Sequence, residues 1–260
     1  MKKLRPLFFG LALLAGLSGC KTNYQTDLLN ANLWYQHAAE YRALAFQTYR
    51  MAQERLDTKL KSVRYAKPPC IVLDLDETCL NNSPYAGFQV KYNKSFNMED
   101  WQEWTSKMDA DTIPGCVSFL KWAKQQSLEI YYVSNRGVAE LDATIENMKK
   151  YGFPDADKDH VMLRDETSSK KPRRDVILEK HAIAMLFGDN LGDLHEMWDK
   201  KTTEERNRLV NENRSKFGYD YIVLPNPGYG AWQSAITGST KGLSAKQKRQ
   251  LKMSKLDSFK

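Results

Sequence analysis

Two acids that directly follow an apolar stretch are the first residues of this sequence with evident chemical potential. Asp74 and Asp76 stand two residues apart at the end of the run that begins at Cys70. Two carboxylates at a buried strand end are costly unless a positive charge compensates them. A hard divalent cation such as magnesium is the natural partner, because it prefers oxygen ligands. The pair therefore predicts a metal site.

Polar residues also follow two later apolar runs, at residues 130–134 and 182–187, and open a helix between these runs. They are Ser134, Asn135, Arg136, Lys170, Lys171, Asp189 and Asp193. Together with Asp74 and Asp76, they place carboxylates, a hydroxyl and cations near the ends of three predicted strands.

The elements that must position these residues alternate between strands and helices. Short apolar runs predict strands over residues 70–75, 130–134, 160–163, 182–187 and 221–225. Helical stretches are predicted over residues 116–126, 138–151 and 171–180. This alternation predicts an α/β fold, a Rossmann-like parallel sheet with helices on both faces. Sites in such sheets form beyond the carboxyl ends of the strands, which is where the polar residues fall.

The first twenty residues have the shape of a targeting signal. A basic start is followed by an apolar run at residues 7–17, which is too short to span a bilayer, and then by Leu17-Ser18-Gly19-Cys20. This site resembles a bacterial lipobox, which predicts a signal peptide over residues 1–19, a diacylated Cys20 and a lipidated tether over residues 20–27. The alternative is an ordinary signal peptide whose cleavage site contains a cysteine. We expect a lipid-anchored protein of the cell envelope, in the outer membrane if the source is Gram-negative.

The rest of the chain divides into a helical segment, a core and a tail. Residues 28–66 contain no Gly or Pro and have apolar side chains at helical spacing, which predicts one long or two shorter amphipathic helices. The core spans residues 67–240 and contains an aromatic-rich insertion at about residues 80–115. We expect this small cap and the N-terminal helices to form a smaller, mainly helical subdomain. Residues 241–260 form a basic tail.

The charge balance and the cysteines limit which partners the protein has. The 39 Lys and Arg against 32 Asp and Glu give a formal charge of +7, and part of this excess lies in the leader and the tail. Such a mild balance lacks the basic stripe of a nucleic-acid binder, so we expect no nucleic-acid partner. The three cysteines besides Cys20 show no zinc-ligand spacing and are interpreted as buried apolar residues. Both a monomer and a homodimer remain open.

The motifs, taken in order, resemble those of a known superfamily. D-x-D-x-T at residues 74–78, a strand-end serine, a lysine and G-D-x-x-x-D at residues 188–193 are similar to the four motifs of the haloacid dehalogenase superfamily. The finer stretches N-S-P-Y-A-G at 82–87, V-S-N-R at 133–136 and L-P-N-P-G-Y-G-A-W at 224–232, behind a lipobox, resemble the bacterial class C acid phosphatases. More narrowly, they resemble the lipoprotein-e 5'-nucleotidases.

The resemblance implies a catalytic role for four residues. Asp74 would be the nucleophile that forms an aspartyl-phosphate. Asp76 would protonate the leaving alkoxide and then activate water. Ser134 would donate a hydrogen bond to the transferring phosphoryl group, and a lysine would neutralise its charge. Lys170 fits the family pattern better than its neighbour Lys171, although both stand at the start of a helix.

The resemblance also implies a Mg²⁺ cofactor. Its ligands would be Asp74, the main-chain carbonyl of Asp76 and Asp189. Asp193 would hold metal-bound water or orient the lysine from outside the first ring of ligands. Superfamily ATPases lack the second acid of the first motif, so the presence of Asp76 favours hydrolysis of an ester.

Substrate contacts are predicted at strand ends, in the insertion and in a late turn. The candidates are Asn135, Arg136, Trp101, Trp104 and Tyr229. The leading hypothesis is a magnesium-dependent acid phosphatase that acts on small phosphomonoesters such as 5'-nucleotides and aryl phosphates. Phosphoryl transfer to an acceptor alcohol is an alternative enzymatic function. A ligand-binding lipoprotein without catalytic activity is an alternative from a different class.

Overall fold

A central parallel sheet with helices on both faces organises the protein. The computed structural model describes residues 28–259. The strands are β1 Pro69–Leu73, β2 Leu80–Asn81, β3 Asp111–Thr112, β4 Glu129–Gly137, β5 Val161–Arg164, β6 Ala182–Gly188 and β7 Tyr221–Val223. The helices are α1 Leu29–His37, α2 Ala39–Ser62, α3 Ser83–Lys91, α4 Met98–Ser106, α5 Cys116–Gln125, α6 Leu141–Lys150, α7 Lys171–Lys180, α8 Leu191–Leu194, α9 Thr203–Glu212, α10 Ala231–Thr237 and α11 Ala245–Met253. The predicted signal peptide, Cys20 and the tether lie outside the described residues.

The main sheet has five strands in the order β5-β4-β1-β6-β7, and each neighbouring pair is parallel. β1 lies at its centre, which explains why this strand is apolar on both faces. Ile71 and Leu73 enter the larger hydrophobic core on one face. Cys70 and Val72 enter a second core on the other face, together with Ile177 of α7. The predicted α/β fold with a Rossmann-like parallel sheet is confirmed.

The N-terminal helical segment contains two helices with different partners. Ala38 adopts extended backbone with ψ 128°, and this residue separates α1 from α2. The buried stripe of α2 includes Tyr49, whose ring stacks 6.0 Å from that of Phe187 in β6. α2 therefore covers the sheet as a layer of the main body, whereas α1 packs on α3.

The first insertion lies beside the carboxyl ends of the strands. It contains α3, α4 and the short antiparallel pair of β2 and β3. Asn97 caps α4, because its side chain accepts a hydrogen bond from the Asp100 amide at 2.8 Å. Of the two N-terminal helices, only α1 packs on these elements, so the prediction that both join the insertion in a small helical subdomain is wrong for α2, whose buried stripe covers the sheet.

The C-terminal helices lie on the surface. α10 and α11 have no buried residue, and α11 carries much of the basic tail. Ser244 and Gln247 form a reciprocal cap at the start of α11, with the Gln247 amide donating to the serine hydroxyl at 3.3 Å. Within residues 28–259, no helix combines the length and the apolar character that crossing a membrane requires.

Candidate active site

The loop after β1 holds its two acids in different environments. The backbone amide of Asp74 donates to the Phe187 carbonyl at 3.0 Å, which continues the sheet by one residue. The chain then turns sharply, with the Cys79 amide donating to the Leu75 carbonyl at 2.8 Å and Glu77 at φ 57°. Asp74 is thereby buried, whereas Asp76 is partly exposed.

Three carboxylates meet where β1 and β6 end. Candidate ligand oxygens of Asp74, Asp189 and Asp193 all lie within 4.8 Å of one another. Gly188 permits this approach, because a Cβ at that position would collide with the Asp193 side chain. Asp189 accepts one hydrogen bond, from the Asn226 side-chain amide at 2.7 Å. The structure thus brings the predicted metal ligands of two distant motifs together.

Lys170, and not Lys171, reaches this cluster. The Lys170 ammonium is buried and forms ion pairs with Asp74 and, at 2.7 Å, with Asp193. Lys171 points away from the cluster and pairs with Asp175 at 2.6 Å on the exposed face of α7. The contact of Asp193 with Lys170 places it where it orients the lysine, one of the two positions considered for it.

The charges of the cluster are not balanced. Burial raises the pKa of Asp74 to about 7; Lys170 opposes this shift, while Asp193 and Asp76 add to it. Burial, followed by the charges of Asp193 and Asp74, raises the pKa of Asp189 well above its usual range. The cluster therefore has three acids and one ammonium, which forms ion pairs with two of them. A divalent cation with oxygen ligands fits this donor set, because it would supply the missing positive charge.

Four donors converge on Asp76. Its Oδ1 accepts from the Asn82 side-chain amide at 2.8 Å and from Nε and Nη2 of Arg136 at 2.9 and 2.8 Å. Its Oδ2 accepts from the Ser134 hydroxyl at 3.3 Å. Both oxygens are consequently oriented by the end of β4 and by Asn82. The Arg136 guanidinium, predicted to bind substrate, is here committed to Asp76.

A cavity of about 530 Å³ opens above these groups. Asn135, Arg136, Trp101 and Tyr229 line it, as do the acids of the cluster. Trp104 does not line the cavity, contrary to the prediction that it contacts substrate. It packs against the main hydrophobic core, and its indole nitrogen donates to the Asn82 carbonyl oxygen at 2.8 Å. The aromatic pattern of the insertion did not separate the wall residue from the packing residue.

Several contributors were missed by reasoning from the sequence. Asn82 and Asn226 hold Asp76 and Asp189, and both belong to motif stretches in which we assigned them no role. Glu77 lines the cavity and accepts the Asn82 backbone amide through Oε1 at 2.8 Å, while its buried Oε2 has no partner among the described residues. Burial, then Asp76, raises the pKa of Glu77 well above its usual range. All three residues lie within the motif stretches at 74–78, 82–87 and 224–232, and this position was the signal that could have identified them.

A parallel sheet whose strand ends combine paired acids, a serine and a buried lysine defines a phosphatase of the haloacid dehalogenase class. The family profile described as "HAD superfamily, subfamily IIIB (Acid phosphatase)" matches residues 19–232, and the chain belongs to this family. Membership places it among the hydrolases of phosphoric monoesters. The resemblance inferred from the motifs is confirmed.

Known structures and a plant protein are similar to the chain. The class C acid phosphatase from Bacillus anthracis matches with 39% identity and a TM-score of 0.87, over 92% of this chain and 100% of that chain. The structure of that enzyme with tungstate bound matches with 38% identity, the same TM-score and the same coverage. The stem 31 kDa glycoprotein of Glycine max is 27% identical over 129 residues, or 47% of this chain. The chain spans about half the length (51%) of this curated relative.

Proposed function

We propose that the protein is a magnesium-dependent phosphomonoesterase that acts through an aspartyl-phosphate on Asp74. The observation that carries this proposal is the cluster of Asp74, Asp189 and Asp193, in which the buried Lys170 pairs with Asp74 and Asp193. Buried acids that are short of positive charge are typical of sites that bind a cation and an anionic substrate together.

The chain's own residues account for each proton and bond. A carboxylate oxygen of Asp74 attacks phosphorus, the ester P–O bond breaks, and the leaving alkoxide takes a proton from Asp76. Asp76 then accepts a proton from the water that attacks the aspartyl-phosphate, which releases phosphate and restores Asp74. Lys170 neutralises developing charge, and Ser134 holds Asp76 or donates to the phosphoryl group.

Magnesium is the cation that this oxygen-only donor set favours. Asp74 and Asp189 would hold it together with the main-chain carbonyl of Asp76, while Asp193 pairs with Lys170. When bound, the cation supplies positive charge that stabilises the phosphoryl oxygens. The tungstate named for the Bacillus anthracis enzyme supports an oxyanion site here, because tungstate is tetrahedral like phosphate.

An assay with p-nitrophenyl phosphate tests the activity. We expect release of p-nitrophenol in the presence of Mg²⁺, loss of this release with a chelator, and recovery when Mg²⁺ is added back. No turnover in any of these conditions would favour a binding protein without catalytic activity. Turnover that survives exhaustive chelation would contradict the assigned metal.

We further propose that the substrates include 5'-nucleotides. Tyr229 is exposed on the cavity wall, and Trp101 and Phe96 of the insertion line the same cavity. Stacking of a base on an aromatic ring contributes about 1–3 kcal/mol and tolerates any base. Tyr229→Ala should therefore raise KM for 5'-nucleotides by about tenfold, with little change for a small alkyl phosphate. An equal rise for both substrates would make Tyr229 a structural turn residue.

The location at the cell envelope is also a proposal. It rests on the lipobox resemblance around Cys20, which lies outside the described residues. Labelling with radioactive palmitate should mark the wild-type chain, and Cys20→Ser should remove the label and release the protein from the membrane fraction. Labelling that persists in Cys20→Ser would refute the proposed anchor.

A further inference from the structure

The cations that line the cavity fall into two groups. Among the described residues, four basic side chains line it: Arg136, Arg164, Lys170 and Lys252. Arg136 and Lys170 form ion pairs with the acids of the site. Arg164 has no ion pair or hydrogen bond through its guanidinium within residues 28–259, and Lys252 stands exposed at the rim. Two positive charges of the cavity are thus not used by the proposed chemistry.

Arg164 stands where β5 ends, beside the end of β4. It is in register with Gly137, the residue that follows Arg136. The acids that come next in the chain, Asp165 and Glu166, are exposed, and neither forms an ion pair with Arg164. The guanidinium is half-buried on the cavity wall and lacks the carboxylate that a buried arginine usually has.

A second arginine without a carboxylate partner lies nearby. The Arg173 guanidinium donates to the Ser134 carbonyl at 2.5 Å, the Asn135 side-chain oxygen at 2.8 Å and the Ser169 carbonyl at 3.1 Å. All three acceptors are neutral. Burial lowers the pKa of Arg173; the charge of Asp74 opposes this shift, and the charges of Arg174 and then Arg164 add to it. The Arg173 guanidinium thus holds the exposed Asn135 of the cavity wall, close to the strand end where Gly137 is in register with Arg164.

A half-buried guanidinium without a carboxylate partner, as Arg164 is within the described residues, is stabilised by an anion that enters the cavity. A guanidinium group binds phosphate and carboxylate through paired hydrogen bonds, which makes Arg164 a suitable ligand for such an anion. Because the wall belongs to the same cavity as Asp74, an anion there would belong to the same molecule as the reacting phosphate.

We propose that Arg164, on the cavity wall beside Asn135, forms a subsite for a second anionic group of the substrate. The favoured substrates would be phosphomonoesters that carry a further phosphate or carboxylate away from the phosphate that is hydrolysed. This inference rests on the proposed phosphomonoesterase function and deepens it, since it names a substrate class that the aromatic wall does not select.

The experiment uses substrates of graded length. The full chain with Mg²⁺ is assayed on diol bisphosphates from propanediol to hexanediol and on the alkyl monophosphates of matching length, with kcat/KM measured for each. The distance between the two phosphates varies within this series, so at least one bisphosphate should span the distance from the reacting site to the subsite. We expect a preference of about tenfold for the bisphosphate at the best length and a ratio near unity in Arg164→Gln.

A control variant tests whether the loss of charge alone matters. Arg208→Gln removes an exposed guanidinium that pairs with Glu212 at 2.7 Å on α9, and it should keep the wild-type ratio. The subsite is refuted if no bisphosphate is preferred over its matching monophosphate or if the preference survives in Arg164→Gln. It is also refuted if Arg164→Gln lowers kcat/KM equally for both substrates. Calorimetry measures the binding of each bisphosphate and its matching monophosphate to Asp74→Asn, which gives the ratio of their affinities without turnover. A failure of the phosphatase function is therefore distinguished from a failure of the subsite.

Discussion

The two ends of the parallel sheet each carry a cluster of acids, and only one of them is short of positive charge. At the carboxyl end, Asp74, Asp189 and Asp193 lie together, and the buried Lys170 ammonium forms ion pairs with Asp74 and Asp193 only. The other cluster, Glu129, Asp155 and His160, lies at the amino end of β4 and just before β5. Its candidate ligand atoms also lie within 4.8 Å of one another, so proximity does not distinguish the two clusters.

The two clusters differ in how far positive charges compensate their acids. Lys124 lies 2.9 Å from Asp155 and 3.4 Å from Glu129, and His160 contacts Glu129 at 2.8 Å and Asp157 at 2.7 Å. Burial opposes the shift, but the bond to His160 and the charge of Lys124 lower the pKa of Glu129. At the carboxyl end, burial instead raises the pKa values of the acids. Clustered acids thus belong to an ion-pair network at one end of the sheet and to a candidate active site at the other.

The largest expected effect is a loss of kcat, and it distinguishes the two ends of the sheet through the same Asp→Asn change at each end. Asp74→Asn should lower kcat by about 10⁴-fold or more, because it removes the nucleophile. Asp155→Asn should leave kcat within about twofold and reduce the free energy of unfolding by about 1–2 kcal/mol, because the Ile130 amide and Lys124 lose a charged partner. Steady-state kinetics and urea unfolding measure both. Comparable kinetic losses in the two variants would remove the distinction between the ends.

The next effect distinguishes the two acids of the β1 loop. Asp76→Asn should reduce hydrolysis of alkyl phosphates by about 10² to 10⁴, because their leaving groups need a proton. The loss on p-nitrophenyl phosphate should be smaller, since p-nitrophenolate departs without assistance. Rates for both esters are compared in one preparation. Equal losses on the two esters would contradict the role of Asp76 as the general acid.

Asp189 tests the shortage of positive charge directly. Asp189→Asn should weaken Mg²⁺ binding by about 10- to 100-fold, as measured by titration of activity and by calorimetry. In metal-free protein the same change should raise Tm, because it removes a carboxylate that lies beside Asp74 and Asp193 and has no ion pair among the described residues. Asp155→Asn is the control and should lower Tm. A fall in Tm for Asp189→Asn would show that the carboxyl-end cluster is already balanced.

The smallest effect concerns His160 and stability alone. Burial would lower its pKa, but its bonds to Asp157 and Glu129 outweigh burial and raise the pKa above the ordinary 6.5. The stabilisation is therefore complete below the ordinary pKa and is lost as pH rises through the raised value. His160→Gln should reduce the free energy of unfolding by about 1 kcal/mol in mildly acidic solution and by less in alkaline solution, with kcat unchanged. Urea unfolding across this pH range measures it, and a difference that grows with pH would reverse the assignment.

Some positions in the site could be predicted from the sequence because they depend only on short stretches of the chain. Asp74 and Asp76 directly follow a run that is apolar on both faces, so their place at a strand end was predictable. Asp189 follows another such run, and in parallel sheets the carboxyl ends meet at one edge. Lys170 and Lys171 are both at a helix start, and their difference in orientation was not predictable from adjacency.

The sequence by itself determined the parallel sheet, the family and the acids at its strand ends, because strands buried on both faces are continuously apolar and motif order is a local property. Only the tertiary structure decided which side chains meet. The Lys170 ammonium reaches Asp74 across 96 positions of the chain, and Asn226 reaches Asp189 across 37. It also decided that Trp104 supports Asn82 behind the cavity and that Arg164 remains without a carboxylate partner among the described residues. The physical reason is that burial and charge compensation arise from packing between distant segments, which no local pattern records.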